Sequence, residues 1–463
     1  MHRLLVEHRL LGLPRTAPPT IAWSSFVSLA LLAVAIGALF SRITARRSAT
    51  SPATLMGSKR QTSGRSQLQL RQALVVVEVA GALALVMVAA LMMRSGARLA
   101  SIDPGFRTEN VVTFGVVFPA AGYGEPALRL QFVERALAKL RELPGVRAAA
   151  SAGYAPMGAM RATRRFAPED RPMAAPGSEA LALDMPVGPG YFEVMGIPVV
   201  HGRPITERDF ATAPPVLVVS ETFAREVFGA QNPLGKRIGF YASRPGSPPP
   251  PSREIVGVVG DVRQDAVGTR PMAQMYSPYA QTAWGFTSFF VQVEGDTAAT
   301  AAAVQRAVSS VDPMRPVRDV KTTADIVRAS TARPRAMTWL LLALAVVALT
   351  LAAVGLYGVS ATAASARARE FAIRAAVGAN PSALVRLVLR QSLLASVIGV
   401  SLGAVASIGA SRGVEAFLFE TQPQDPVVFA STVVLLLTIA LTASYLPARR
   451  ALRTNPAEVL RAE

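Results

Sequence analysis

The sequence predicts an α-helical membrane protein with about five transmembrane helices and a large extracytoplasmic α+β domain of two lobes. Three observations lead to this prediction: long windows without charge, basic segments between those windows, and alternating strand and helix patterns over residues 94–337. The composition agrees, since 51% of the 463 residues are hydrophobic and 17% are charged, whereas soluble chains usually carry about 25% charged residues.

The windows define the spans. Four windows lack Asp, Glu, Lys and Arg, and a fifth contains a single acid, Glu78. Each window supplies the roughly 20 apolar residues that cross the hydrocarbon core of a bilayer. The predicted spans are 22–41, 73–93, 338–358, 390–410 and 428–447.

Basic residues orient these spans, because short loops rich in Lys and Arg stay in the cytoplasm. The loop 42–72 carries seven basic residues and no acid, so it is predicted to be cytoplasmic. The segment 94–337 is then outside, the loop 359–389 returns to the cytoplasm, and the tail 448–463 ends there.

The segment 94–337 has its own regular pattern. Runs rich in β-branched and aromatic residues predict strands over 110–118, 215–220, 253–262 and 289–295. Apolar residues at helical spacing predict helices over 125–142, 221–229 and 297–313. The composition of residues 158–178 and 243–252 predicts loops. We expect two lobes, each with a small sheet.

The sequence offers little for catalysis or ligand chemistry. It contains no cysteine and three scattered histidines, so we expect no metal site. The segment 229–238 departs from a phosphate-binding loop, because five residues separate Gly229 from Gly235 and Arg237 replaces the Ser or Thr of G-x-x-x-x-G-K-[ST]. We expect no enzyme activity, no bound cofactor and, since the basic loops flank spans, no nucleic-acid binding.

A repeat connects the two ends of the chain. Residues 44–56 follow the first predicted span, and residues 447–460 follow the last. Both contain Ala-Arg-Arg, then Pro-Ala and an apolar pair. The repeat indicates that residues 1–72, with span 22–41 and a basic cytoplasmic linker, are the end of a preceding half.

Several longer segments then occur in order. They are GYFEVMGIPVVHGRPITERD (190–209), NPLGKRI (232–238), EIVGVVGDVRQ (254–264), VDPMRPV (311–317), VGLYGV (354–359), REFAIRAAVGA (369–379) and SYLPARRALRTNPAEVLR (444–461). On these segments the chain resembles the MacB/FtsX-like permease family of ABC transporters, in particular the long permeases with two such modules in one polypeptide.

The resemblance implies a fold and a mechanism. Each family module has four spans, with a large external domain between the first and second. Here these are the transmembrane helix 73–93, the MacB-like domain 94–337 and the FtsX-like permease domain 338–463. The family works in the bacterial inner (plasma) membrane, where a cytoplasmic ABC ATPase closes on ATP and the permease transmits the motion outward.

The resemblance also implies partners. ATP acts through the separate ATPase, so the chain itself needs no cofactor. We expect the permease to form a homodimer or to pair with another permease half within the lipid bilayer. The function implied is that of a transporter permease subunit, for export or mechanotransmission. A regulatory or signalling membrane protein without a transported substrate, and a fragment of a longer duplicated permease, are the alternatives.

The loop 359–389 holds the predicted coupling site. Gly378 can end one short helix, and Asn380-Pro381 can begin the next. The resemblance assigns ATPase coupling to five residues: Arg369, Glu370, Arg374, Gly378 and Arg386. The alternative is that the arginines anchor the loop at anionic lipid headgroups, a contribution of about 1 kcal/mol each.

Three residues inside the spans are further candidates. Glu78 is an intramembrane acid, and such groups mark functional sites by default. The alternative is a hydrogen-bonded glutamate that faces the helix bundle, close enough to the cytoplasmic surface to be partly solvated. Gly399 and Gly403 have the G-x-x-x-G spacing that lets helices approach closely. This spacing predicts helix packing, either within the chain or between two copies.

Overall fold

The computed structural model describes residues 60–158, 160–172, 178–242, 246–282, 284–295, 297–366, 381–414 and 425–451. The predicted span 22–41 and most of the basic linker lie outside these residues. The chain divides into two compact units. We call Ile102–Ala332 the sheet unit, and the described residues of 60–101 and 333–451 the helical unit.

The regular elements are numbered in chain order among the described residues. The helices are α1 (Arg60–Ser101), α2 (Ala120–Tyr123), α3 (Pro126–Arg141), α4 (Tyr191–Met195), α5 (Glu221–Phe228), α6 (Thr297–Val311), α7 (Thr323–Ala366), α8 (Pro381–Val414) and α9 (Pro426–Ala451). The strands are β1 (Val111–Val117), β2 (Val146–Ala152), β3 (Thr163–Pro168), β4 (Ala180–Val187), β5 (Val199–Gly202), β6 (Val216–Ser220), β7 (Arg237–Phe240), β8 (Arg253–Val259), β9 (Gln274–Pro278), β10 (Phe286–Val293) and β11 (Arg318–Thr322).

Four described helices are long and apolar enough to cross a membrane, judged by length and composition. They are α1, α7, α8 and α9, which contain four of the predicted spans. α1 and α7 have 42 and 44 residues, far more than the predicted spans. The charge at Arg94 that ends the apolar window does not end the helix, because backbone hydrogen bonds continue whether the side chains are apolar or charged.

The sheet unit contains a single hydrogen-bonded sheet of eleven strands. Strands β11, β1, β10 and β2 form an antiparallel part. Strands β4, β3, β7, β8, β6 and β9 form a closed ring, since β9 pairs back onto β4. The expectation of a separate small sheet in each lobe is therefore wrong. The pairing of Ala152 in β2 with Val187 in β4 joins the two parts.

Each part of the sheet has a core built from the apolar face of a helix. α3 and α6 cover the antiparallel part, where Phe114, Phe132 and Val304 are buried together. α5 belongs to the core of the ring, where Phe223 packs with Ile255. These contacts confirm the helical spacing seen over 125–142 and 221–229, because the buried residues of both helices are apolar positions of that pattern, such as Phe132 and Leu140 in α3 and Phe223 in α5.

The predicted strands and helices of this unit are confirmed, but one predicted loop is wrong. Residues 158–178 include β3, which pairs with β4 and β7. Its arginines conceal the strand pattern. Arg164 is tolerated in the sheet because its Nε lies 2.6 Å from a carboxylate oxygen of the buried Asp184.

We predict that the segment 97–334, expressed alone, unfolds in a single cooperative transition. It contains the whole sheet unit, whose cores are formed from its own residues, and cooperative unfolding is the behaviour of a domain with its own core. The measurement is thermal unfolding followed by circular dichroism and by intrinsic fluorescence. Broad, non-coincident transitions in several versions with shifted ends would contradict the prediction.

Candidate functional site

The predicted coupling site is described only in part. Arg369, Glu370, Arg374 and Gly378 lie outside the described residues. Arg386 lies in the first turns of α8 and is exposed, as is Arg390 one turn later. Neither guanidinium has a hydrogen bond or ion pair with any described residue.

A contact near the predicted cytoplasmic side joins two of the segments that carry the resemblance. The Nη1 atom of Arg450 in α9 donates a hydrogen bond to the hydroxyl of Tyr357 in α7, at 3.0 Å. Tyr357 belongs to VGLYGV and Arg450 to PARR. This bond joins the basic C-terminal end of α9 to α7.

A hydroxyl pair joins α7 to α8. The Ser360 and Ser392 oxygens lie 2.8 Å apart, and both side chains are buried. Lipid offers no competing hydrogen-bond partner, so Ser and Thr side chains serve as polar links between membrane helices. The pair fixes α8 against α7 about two turns after the exposed Arg386.

The G-x-x-x-G pair of α8 lies against α1 of the same chain. A Cβ atom placed on Gly399 would lie 2.8 Å from Cβ of Val79. One placed on Gly403 would lie 2.8 Å from the carbonyl oxygen of Ala80. Only glycine leaves room for this approach, so the spacing is used here for packing within the chain.

Glu78 projects from α1 beside Gly355 of α7. The absence of a side chain at Gly355 makes room for the carboxylate, because an added Cβ would overlap a Glu78 oxygen. The Glu78 side chain remains exposed, and no described residue forms a hydrogen bond with it. The carboxylate therefore faces α7, and the role of Glu78 stays a prediction.

An ion pair holds the opposite end of the same bundle. Nη1 of Arg94 in α1 lies 2.9 Å from Oδ2 of Asp425. Asp425 also accepts a hydrogen bond from the backbone N–H of Val427 and so caps α9. A carboxylate at the N-terminus of a helix is favoured by the unpaired N–H groups there. The pair therefore links α1 and the start of α9.

In the sheet unit, the segment 190–209 is organised by one bidentate ion pair. Both terminal nitrogens of Arg203 lie 2.8 Å from the carboxylate oxygens of Asp209. Burial alone would raise the pKa of Asp209. The guanidinium and the Thr206 N–H and hydroxyl outweigh the burial, so the pKa of Asp209 is held below its ordinary value. Among the described residues, no group of three or more potential ligands could hold a metal ion.

Sequence reasoning missed the residues that connect the helices near their predicted cytoplasmic ends. These are Gly355, Tyr357, Ser360 and Ser392, all in or beside predicted spans. A signal was present, because polar and very small residues in a membrane span usually face another helix. Their pairing could not be found, since it depends on which faces of α7 and α8 meet.

Two family models match the chain. Residues 75–311 match the MacB-like periplasmic core domain, and residues 342–456 match the FtsX-like permease C-terminal domain. The first match covers α1 from residue 75 onward and most of the sheet unit, and the second covers α8, α9 and the apolar part of α7. These findings identify a membrane protein with an extracytoplasmic domain, which is the sheet unit.

Individual relatives agree with these matches. The chain is 28% identical over 287 residues to the macrolide export ATP-binding/permease protein MacB of Hahella chejuensis, covering 60% of this chain and 42% of that protein. The protein of the same name from Vibrio parahaemolyticus is 28% identical over 289 residues, covering 59% and 42%. The chain thus spans less than half the length of these curated relatives.

A solved structure, the periplasmic region of MacB from Actinobacillus actinomycetemcomitans, is 16% identical, with a TM-score of 0.34. The likeness covers 50% of this chain and 97% of that one.

We predict that Gly403→Val lowers the thermal stability of the purified protein, whereas Gly409→Val leaves it nearly unchanged. Both glycines lie in α8, but an added Cβ meets backbone and Leu83 at position 403 and nothing within 4 Å at position 409. Overpacking of this kind costs about 1–3 kcal/mol. The measurement is the unfolding midpoint in detergent, and equal midpoints for the two variants would contradict the packing described.

Proposed function

The chain belongs to the MacB/FtsX-like permease family, and on that basis we propose that it is the permease subunit of an ABC-type transporter. In this proposal a separate cytoplasmic ATPase binds the loop 359–389 and the first turns of α8. ATP-driven motion then passes through the helical unit to the extracytoplasmic domain, for export or for transmission of force. The curated relatives are named for macrolide export, which supports the outward direction.

The observation that supports this proposal most directly is the position of Arg386 and Arg390. They are exposed and without a described partner at the beginning of α8. The same helix is joined to α7 by Ser360 and Ser392, and packs on α1 through its glycines. A partner that moves the start of α8 would therefore displace α1 and α7, because α8 contacts both of these helices directly.

In this proposal, ATP binding and the permease function belong to different subunits. The relatives carry both ATP-binding and permease functions in their names, whereas this chain aligns with 42% of their length. We propose that ATP acts through a separate subunit and that this chain binds no cofactor of its own.

We also propose that the helical unit associates with a second copy or with another permease half. Large apolar side chains such as Val354 and Val405 are 63% and 70% exposed on α7 and α8. These surfaces suit lipid or a further helix. The inner membrane of a bacterium is the proposed location.

We predict that Arg374→Glu and Gly378→Val reduce co-purification of the ATPase while membrane yield stays normal. The first reverses a charge in the proposed docking loop, and the second places a β-branched residue where the sequence favours a left-handed backbone. Arg165→Glu, an equal charge reversal at an exposed position of β3, is the matched control. If the loop only anchors to headgroups, Gly378→Val will be silent and arginine losses will add up regardless of position.

We predict the orientation of the chain with two single cysteines, since the natural sequence has none. Pro248→Cys should react with a membrane-impermeant thiol reagent in spheroplasts, because this residue lies in the extracytoplasmic domain. Arg60→Cys should react only after the membrane is permeabilised, because the loop 42–72 is basic and therefore cytoplasmic. Labelling of residue 60 but not of residue 248 would reverse the proposed topology.

A further inference from the structure

We propose that the sheet unit binds a small molecule through its carboxylate group, in a cleft that the coupling mechanism does not use. The cleft has a volume of about 570 Å³, within the range of roughly 300–1,000 Å³ of small-molecule sites. We call it the arginine cleft, because Arg107 and Arg263 line it together with Gly196, Gly260, Asp261 and Glu221. Two segments that carry the family resemblance, 190–209 and 254–264, meet here.

Three loops frame the cleft, and backbone hydrogen bonds fasten them to one another. Arg107 N–H donates to the Met195 carbonyl at 2.6 Å, and Gly260 N–H donates to the Pro198 carbonyl at 2.9 Å. The third bond runs from Arg263 N–H to the Pro104 carbonyl at 3.0 Å. The loops are thus held in place before a ligand arrives, which lowers the entropy lost on binding.

Glycine permits the closest of these approaches. Gly105 has a φ of +82°, and a Cβ there would overlap the carbonyl oxygen of Asp261. The loop 103–107 therefore lies directly against the loop 260–263. This arrangement presents the side chains of Arg107 and Arg263 to the same cleft.

Both guanidinium groups keep donors that the protein does not use. Arg107 forms no side-chain hydrogen bond or ion pair with a described residue, and its Nη1 atom is shielded from solvent. Arg263 is fixed by carbonyl oxygens, with Nε donating to Asp103 at 3.3 Å and Nη1 donating to Thr269. Its Nη2 has no acceptor among the described residues. A shielded donor without an acceptor is rare in folded proteins, so Nη1 of Arg107 indicates an external acceptor, and Arg263 lines the same cleft as a second donor.

The neighbouring acids do not supply that acceptor. Asp261 accepts hydrogen bonds from the backbone N–H and the hydroxyl of Thr222, at 2.8 and 2.7 Å. Asp103 accepts one from Gly105 N–H at 2.8 Å. Both oxygens of Asp261 thus hold the start of α5, and one oxygen of Asp103 holds its own loop. Neither acid forms an ion pair with Arg107 or Arg263.

The chemistry of the cleft selects a carboxylate. A guanidinium matches the two oxygens of a carboxylate with two parallel N–H donors. Around the cleft, the positive charges of Arg107, Arg225 and Arg263 are balanced by Asp103, Asp261 and Glu221. A ligand with one negative charge adds little repulsion from these acids, whereas the second charge of a phosphate would add more. The ligand class is therefore a small monocarboxylate.

The test uses the full chain in an uncharged detergent, with trifluoroacetate as the probe. Its ¹⁹F resonance should broaden saturably on binding, and acetate should reverse the broadening. Arg107→Gln should weaken binding about tenfold or more, as expected for the loss of a charged hydrogen-bonding partner. Arg165→Gln removes the same charge from an exposed position of β3 and should bind like the natural chain.

Two further variants complete the test. Arg107→Lys keeps the charge without the two parallel donors and should bind more weakly than the natural chain. If Arg107→Gln fails to fold, as judged by its unfolding midpoint, Arg263→Gln takes its place with the same expectation. The proposal is overturned if the natural chain shows no saturable broadening, if the cleft and control variants bind equally, or if inorganic phosphate displaces the probe at lower concentration than acetate.

Discussion

The close approach of α8 to α1 is the constraint on which the helical unit depends. Without side chains at Gly399 and Gly403, the backbone of α8 comes close enough to contact Val79 and the Ala80 carbonyl directly. In a bilayer the surrounding lipid is as apolar as the helices, so close van der Waals packing replaces the hydrophobic effect as the source of association. Any residue larger than glycine at these positions would move the two helices apart.

One polar contact of the unit is made by α8 itself. Once α8 lies on α1, Ser392 can meet Ser360 of α7 at 2.8 Å. A second close approach joins α1 to α7, because Gly355 of α7 leaves room for the Glu78 carboxylate of α1. α8 packs mainly on α1 and α9, so a displacement of α8 would be felt first by these two helices.

The sheet unit is stabilised by a different interaction. Its cores bury large aromatic residues such as Phe114, Phe132 and Phe289. The hydrophobic effect stabilises this burial, because the domain folds in water. The ring of six strands pairs β9 back onto β4 and so leaves fewer open edges than a flat sheet of the same strands would. Closure of this kind requires contacts between distant segments, since Leu183 in β4 is paired with Gln274 in β9.

This difference explains how much the sequence could predict. Apolar windows and helical spacing depend on neighbouring residues, so the four described spans and helices such as α3 could be predicted, although the full lengths of α1 and α7 could not. The strand β3 was missed because the charge of Arg164 is balanced by Asp184, twenty residues away. The partners of Gly399 and Gly403 were likewise hidden, because a small-residue spacing does not say which helix approaches. The arginine cleft could not be predicted either, because its hydrogen-bond donors come from loops that are far apart in the sequence.

The shorter covalent connection between the arginine cleft and the helix contacts runs through the end of α1. The loop 103–107 follows α1 with only Ile102 between them in the chain, and α1 is the helix on which α8 packs. A ligand that binds Arg107 restrains the loop next to the end of this helix. By linkage, a ligand shifts an equilibrium only by its difference in affinity for the two states. Occupancy of the cleft would therefore bias motion of α1 only if that motion changes the spacing between Arg107 and Arg263, whose loops are joined by the bond from Arg263 N–H to Pro104.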